Sequence, residues 1–312
     1  MRSRAAKRAC QVLITCACLA AGAGVAAPAG AVRPVIHIED VERFYRIYDT
    51  AAGHPDAERL QHDYLDPGSP GLHKFAQLRN ISGKTIAAAL AAHPETYARA
   101  RRCLAVLPRV RRRLQIALAK LARLYPPAAF PPITIAVGRG RPVGVTEGTG
   151  VMIGLEALCA TDWLNPDVEE RFVHVIAHEY GHVEQLRAIA DDEHPTVLQG
   201  SLVEGGAELV AELISGEVAY SQLASWGRGR EREVETAFLA DAEKSDLSDW
   251  LYNGHGTPQR PGDLGYWVGY RIVKAYYQRA GDKRRALREI LEITDPKAFL
   301  ARSGWYPGIA LR

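Results

Sequence analysis

The residues whose types and spacing can do chemistry are His178, Glu179 and His182, in the run HEYGH at 178–182. Side chains four apart on an α-helix share a face, so this spacing sets two imidazoles side by side where they can hold one divalent cation. Glu179, next to the first imidazole, can then reach a water on that cation and act as a base. A hydrolytic zinc site usually takes three protein ligands and keeps a position for water, so a third ligand has to come from a separate element. Glu204, 22 residues beyond His182, is the best candidate, because Gly205, Gly206 and Ala207 beside it let two helices approach closely. Glu208 lies one turn on and shares the Glu204 face. It can accept a hydrogen bond from a ligand imidazole and so fix its tautomer.

His174 continues the four-residue spacing but fails on distance. Eight residues of helix rise about 12 Å, and three imidazoles spread that far cannot all approach one ion to about 2 Å. It is expected to pack near the site or to face solvent. Glu184 is a weaker third ligand, too close in sequence and turned away from His182. Zn2+, one ion, is the expected cofactor from ligand type, although other divalent metals suit the same donors.

These residues need rigid supports. The helix carrying HEYGH is expected to be capped by Asn165, with Pro166 in its first position and Asp167, Glu169 and Glu170 at the positive end of its dipole. Val168, Phe172, Val175, Ile176, Val183 and Leu186 give it a buried side. A second helix is expected over 196–215, ending at Gly216. A third, aromatic-rich helix is expected over 265–277 and carries Tyr266 and Tyr270 one turn apart. Upstream, 133–137 and 151–155 read as short strands. Residues 138–150, with five glycines, read as a loop that lacks the Lys-Ser/Thr ending of a phosphate-binding loop. A sheet edge just before a metal-binding helix can receive an extended peptide by strand addition.

Most of 38–125 reads as helix. Val41, Phe44, Tyr45 and Tyr48 recur at helical intervals, and a longer apolar stripe begins at Val106. Between its members lie Arg109, Arg111, Arg112, Arg113, Lys120 and Arg123, and no acid occurs between Glu95 and Glu147. This Arg109 to Arg123 face reads either as a solvated face with buried stems or as a weak contact for an anionic surface. The fold class expected is α+β, predominantly helical, with a small sheet ahead of the HEYGH helix.

The chain has 312 residues, 47% hydrophobic and 24% charged, which is ordinary globular composition with room for a real core. Residues 1–31 stand apart as a signal peptide. Arg2, Arg4, Lys7 and Arg8 precede an uncharged stretch, and Ala29-Gly30-Ala31 or Ala21-Gly22-Ala23 fits a small-residue cleavage site. An uncleaved anchor is the competing reading. Leu13-Ile14-Thr15-Cys16 is a poor lipoprotein match, and no later stretch is long and apolar enough to cross a membrane. Removing the leader leaves 35 basic against 36 acidic residues, so the formal charge of +3 belongs to the leader. No whole-protein electrostatic case for nucleic-acid binding survives. Cys103 and Cys159 then remain, and a disulfide and two buried thiols are equally open readings. The expected organisation is 1–31 leader, 32–127 N-terminal helical region and 128–312 metal-site region, the last two expected to form one compact unit, secreted or periplasmic.

HEYGH followed by VEGGAEL (202–209, with Leu202) resembles the gluzincin zinc metallopeptidases, whose pattern is HExxH and then Glu-x-x-x-Asp/Glu on the next long helix. The tract GSPGLHKFAQLR (68–79), the aromatic third helix and DPKAFLARSGWY (295–306) resemble an uncharacterised bacterial group of predicted zinc-dependent proteases related to a gliding-motility lipoprotein. The resemblance implies a zincin-like fold for 128–312. It also implies His178, His182 and Glu204 as zinc ligands, Glu179 as general base and Glu208 as the supporting carboxylate. Glu208 departs from the Asp of thermolysin-like enzymes, and the spacing to Glu204 is a few residues longer than in aminopeptidases of the clan. The implied reaction is hydrolysis of a peptide or protein substrate. Its oxyanion needs a further donor, for which Tyr266 and Tyr270 are candidates and His255 an outsider. The alternative is a non-catalytic envelope or partner-binding protein that keeps the metal site. A third reading, binding of an anionic polymer, rests on the Arg109 to Arg123 face.

Overall fold

The computed structural model describes residues 35–311, apart from positions 142, 162, 186, 255 and 258. The expected leader therefore lies outside the described residues, as does His255. In chain order the elements that position the site are β1 (Ile36–His37), α1 (Glu39–Thr50), α2 (Leu107–Leu124), β2 (Ile133–Ala136), β3 (Gly144–Glu147), β4 (Gly150–Gly154), α3 (Val168–Glu184), α4 (Val197–Ser215) and α5 (Leu264–Arg279). The molecule is predominantly helical with one small mixed sheet. Among the described residues no helix is long and apolar enough to cross a membrane.

The four strands run in the order β1-β2-β4-β3. β1, β2 and β4 are parallel, and β3 returns antiparallel on β4 with Glu147 opposite Gly150. Every residue of β2 and β4 is buried, as inner strands covered on both faces require. β1 comes from the N-terminal region, so the described part of that region shares this sheet with the rest of the chain. β3 corrects the reading of 138–150 as a plain loop. Its two glycine-rich flanks hid four residues that alternate toward and away from α3, and the turn between β3 and β4 is only Gly148-Thr149.

Helix starts follow side-chain chemistry. α3 begins two residues later than expected, because the Asp167 carboxylate, not Asn165, takes the Glu170 amide. Asn165 instead accepts from the Asp167 amide and turns the chain into the helix, which leaves Pro166 in that turn. α4 matches its expected span closely: Thr196 caps it, and Gly216 ends it at φ 102°, a left-handed conformation suited to glycine.

α4 is the seam of the molecule. Val210, Ala211 and Ile214 pack into a core with the sheet, α1, α2 and α3. Val197, Leu198, Leu202 and Leu209 pack into a second core with α5 and the C-terminal helices. The helices meet at small residues. A methyl group at Gly181 of α3 would lie 2.6 Å from the Ala207 Cα of α4, and one at Gly205 would lie 2.1 Å from the Gly269 backbone of α5. A methyl at Gly269 would strike the Ser201 carbonyl of α4. The first of these contacts holds the carboxylates of α4 against α3, and the other two close α5 on α4.

The basic face of α2 is partly spent on this packing. Arg113 forms a fork with Glu170 at 2.7 Å, and Arg109 pairs with Glu169, both in the first turn of α3. Arg111 donates to the Ile36 carbonyl at 3.3 Å. Cys103, ahead of α2, is bonded to Cys159, between β4 and α3, with Cα atoms 6.1 Å apart.

Gly205→Ala tests the seam. Its methyl meets backbone and not a flexible side chain, so urea unfolding should show a loss of about 1–3 kcal/mol. Unchanged stability would mean that α4 and α5 separate freely.

Candidate metal centre

α3 presents His178 and His182 on the face that Gly181 brings against α4. Their Nε2 atoms lie 3.0 Å apart. Glu204 Oε2, from α4, lies 3.3 Å from His178 Nε2 and 3.2 Å from His182 Nε2. Zinc bound tetrahedrally at 2.0–2.1 Å needs donor atoms separated by about 3.3 Å, and the three donor separations match that edge length. Glu204 Oε2 is buried and faces the two imidazole nitrogens, a costly position for a carboxylate oxygen unless a cation lies among them. The donor set and this buried oxygen fit a divalent metal.

The other atom of each group is occupied in a way that aims the donor. His178 Nδ1 lies 2.7 Å from Glu208 Oε1, and the second Glu208 oxygen accepts the Tyr220 amide at 3.2 Å. His182 Nδ1 faces Gln185 Oε1 at 2.8 Å, and the Gln185 amide donates to the Val203 carbonyl of α4 at 2.6 Å. An acceptor on each Nδ1 places the ring proton there and leaves Nε2 for a metal. Glu204 Oε1 accepts from the Tyr252 hydroxyl at 2.6 Å.

Glu179 does not join this triangle. It lies against β3, where Thr146 Oγ1 donates to Glu179 Oε2 at 2.5 Å. Gly144, two residues earlier on the same strand face, has no side chain there; a methyl would sit 2.4 Å from Glu179 Oε1. Strand and helix together fix the Glu179 carboxylate.

The tyrosines are placed differently from one another. Tyr266 stacks on the His178 ring with centroids 5.9 Å apart, and Tyr220 stacks on Tyr266 at 4.3 Å. Burial pushes the Tyr266 phenol far above its ordinary range, so it stays protonated. The Tyr270 hydroxyl instead accepts from Lys274 Nζ at 2.7 Å, and Lys274 also holds Glu212. His174 lies outside the donor set, with Nδ1 2.8 Å from Ser215 Oγ and Nε2 3.0 Å from Glu170. The Glu184 carboxylate accepts the Ala129 amide at 2.9 Å, and burial pushes it up to about 7.

Sequence reasoning missed Gln185, Gly144, Thr146 and Tyr252. Gln185 is three residues past His182, where a helical neighbour could have been sought. Thr146 was hidden among glycines. Tyr252 lies in irregular chain with no periodicity to mark it.

The model of a family described as Predicted Zn-dependent protease (DUF2268) matches residues 151–294, a little under half of the chain. The matched stretch contains all three donor residues as well as Glu179 and Glu208, and its description agrees with a zinc site. No curated protein matches the chain, and no solved structure does.

The electrostatics of the site make a prediction. Burial alone would lower the His178 pKa, but the carboxylates of Glu204 and Glu208 outweigh it and lift it to about 10. Burial would likewise lower His182, and Glu204 raises it. Burial opposes ionisation of Glu204, yet the two imidazoles hold its pKa below the carboxylate range. Without metal the site therefore holds a proton on His178 at neutral pH, and a metal must displace it. Zinc titration at pH 7.5 in buffers of different ionisation enthalpy should show release of at least one proton. Affinity should rise about tenfold per pH unit below the His178 pKa. Proton-independent binding would mean that the imidazoles are not the ligands.

Proposed function

We propose that this chain is a zinc-dependent peptidase of gluzincin type with a zincin-like arrangement of edge strand, motif helix and ligand helix. The observation that carries the reading is the convergence of His178 Nε2, His182 Nε2 and Glu204 Oε2, with Glu179 held beside them and outside the ligand set. The family match supports a Zn-dependent protease. A site serving only structure has no need of a carboxylate kept out of the ligand set and fixed by a strand.

Zinc held there would act as a Lewis acid and bring water into ionisable range near neutral pH. Glu179 is the proposed general base, taking a proton from water and returning it to the departing amine nitrogen. Thr146 restrains its carboxylate, so proton transfer starts from a fixed geometry. Tyr266, protonated and stacked on His178, is the proposed donor to the oxyanion; Tyr270 is the second candidate, with its hydroxyl engaged by Lys274. Among the described residues β3 pairs only with β4, so its outer edge offers free backbone groups alongside Glu179. An extended peptide adding to that edge would pass the base and the donor triangle.

Secretion or export to the periplasm is part of the proposal. It is supported by the leader pattern in the sequence and by the Cys103–Cys159 bond, which persists in oxidising compartments.

Glu179→Gln should keep its zinc, measured by metal analysis, and lose peptide-library cleavage by about 10²–10⁴-fold. Equal cleavage by the variant and the parent would remove Glu179 from the mechanism. Thr146→Val should also keep zinc and reduce kcat by roughly 10- to 100-fold. An unchanged kcat would make the β3 contact incidental.

A further inference from the structure

Tyr252 sits in a loop whose backbone is bent against its own preference. Its φ is 56° and that of Asp263 is 59°, left-handed values at residues other than glycine, while Gly254 and Gly256 between them also have positive φ. Such conformations persist when the surroundings over-determine them, and they gather at functional sites. Here the surroundings are explicit. The Asn253 amide donates to Asp263 Oδ1 at 3.1 Å, and the Asp263 amide donates back to Asn253 Oδ1 at 2.7 Å. Asn253 Nδ2 donates to the Ser248 carbonyl at 2.9 Å, and the Gly265 amide donates to the Trp250 carbonyl at 2.8 Å.

The reason for this bend is not burial of the residue, which is 63% exposed. What the bend achieves is the inward reach of the hydroxyl, which donates to Glu204 Oε1 at 2.6 Å. Glu204 thus has one oxygen tied to a phenol and the other, Oε2, left for the imidazole triangle. A carboxylate with both oxygens free can turn and offer both to one cation, which would fill the position that a hydrolytic site keeps for water.

We propose that Tyr252 is a positioning residue that makes Glu204 a one-oxygen ligand and so keeps a coordination position open. The inference rests on the metal-site reading above and is independent of peptidase activity. Tyr252→Phe removes the hydroxyl and keeps the ring, whose edge packs on Tyr266 with centroids 6.3 Å apart.

The test uses the full chain loaded with Co2+ in place of zinc, because the visible absorption of cobalt falls in intensity as its coordination number rises. Tyr252→Phe should give weaker visible bands than the parent and an affinity for Co2+ about tenfold lower. The metal-free Tm should fall only by the loss of the one hydrogen bond to Glu204 Oε1. Identical spectra and affinities in the two proteins would overturn the inference. A lowered metal-free Tm with an unchanged spectrum would do so too, by making Tyr252 a packing residue. Altered spectra in a protein whose parent cleaves no peptide would leave the inference standing and remove the peptidase reading. Failure of the parent to take up cobalt would remove both.

Discussion

The structure depends on keeping the Glu204 carboxylate buried beside two imidazoles. A charge in that position is costly unless it is paired and hydrogen-bonded. The fold meets the cost from several directions: α3 supplies the two rings, α4 the carboxylate, and the 251–263 loop a phenol. Gly181 against Ala207 lets α3 and α4 come close enough for donor atoms to sit about one tetrahedron edge apart, while Gly205 against Gly269 seats α5 on the other side of α4. A larger residue at Gly181 would move the carboxylate away from the rings. The packing of the helices and the chemistry of the site are therefore a single requirement.

Support for the site comes from elements far apart in sequence. Glu208 and Gln185 orient the two rings, the first from one turn farther along α4 and the second from the end of α3. Gln185 also bonds to the Val203 carbonyl next to Glu204, so the orientation of one ligand is tied to the backbone of another. β3 then restrains Glu179 through Thr146, with Gly144 leaving room for the carboxylate. The donors are on helices and the restraint on the proposed base is on a strand, so movement of the sheet against α3 changes Glu179 without changing the donors.

Much of the centre was legible from spacing, because helical periodicity converts sequence distance into direction. His178 and His182 share a face by rule, and Glu204 and Glu208 repeat that relation on a helix whose cap and stop residues, Thr196 and Gly216, are chemically explicit. The description of the matched family, covering 151–294, agrees with that reading as far as a zinc-dependent protease. The less legible parts lack periodicity. β3 is four residues flanked by glycines, and Tyr252 acts from irregular backbone, so neither leaves a pattern. The start of α3 was misjudged because Asn165 and Asp167 are both good caps, and only the folded chain shows which amide each one takes. Nor does sequence reveal that the cations of α2 are turned toward the acidic first turn of α3, where Glu169 and Glu170 neutralise part of that face.

The bond between Cys103 and Cys159 spans 56 positions that include β2, the glycine-rich turns and the whole β3–β4 hairpin. A backbone cut anywhere in that interval yields two fragments that remain covalently joined. Nicking there by a neighbouring protease would leave the apparent mass in a non-reducing gel unaltered. The break would show only after addition of a thiol, so an intact-looking band is no guarantee of an unbroken chain.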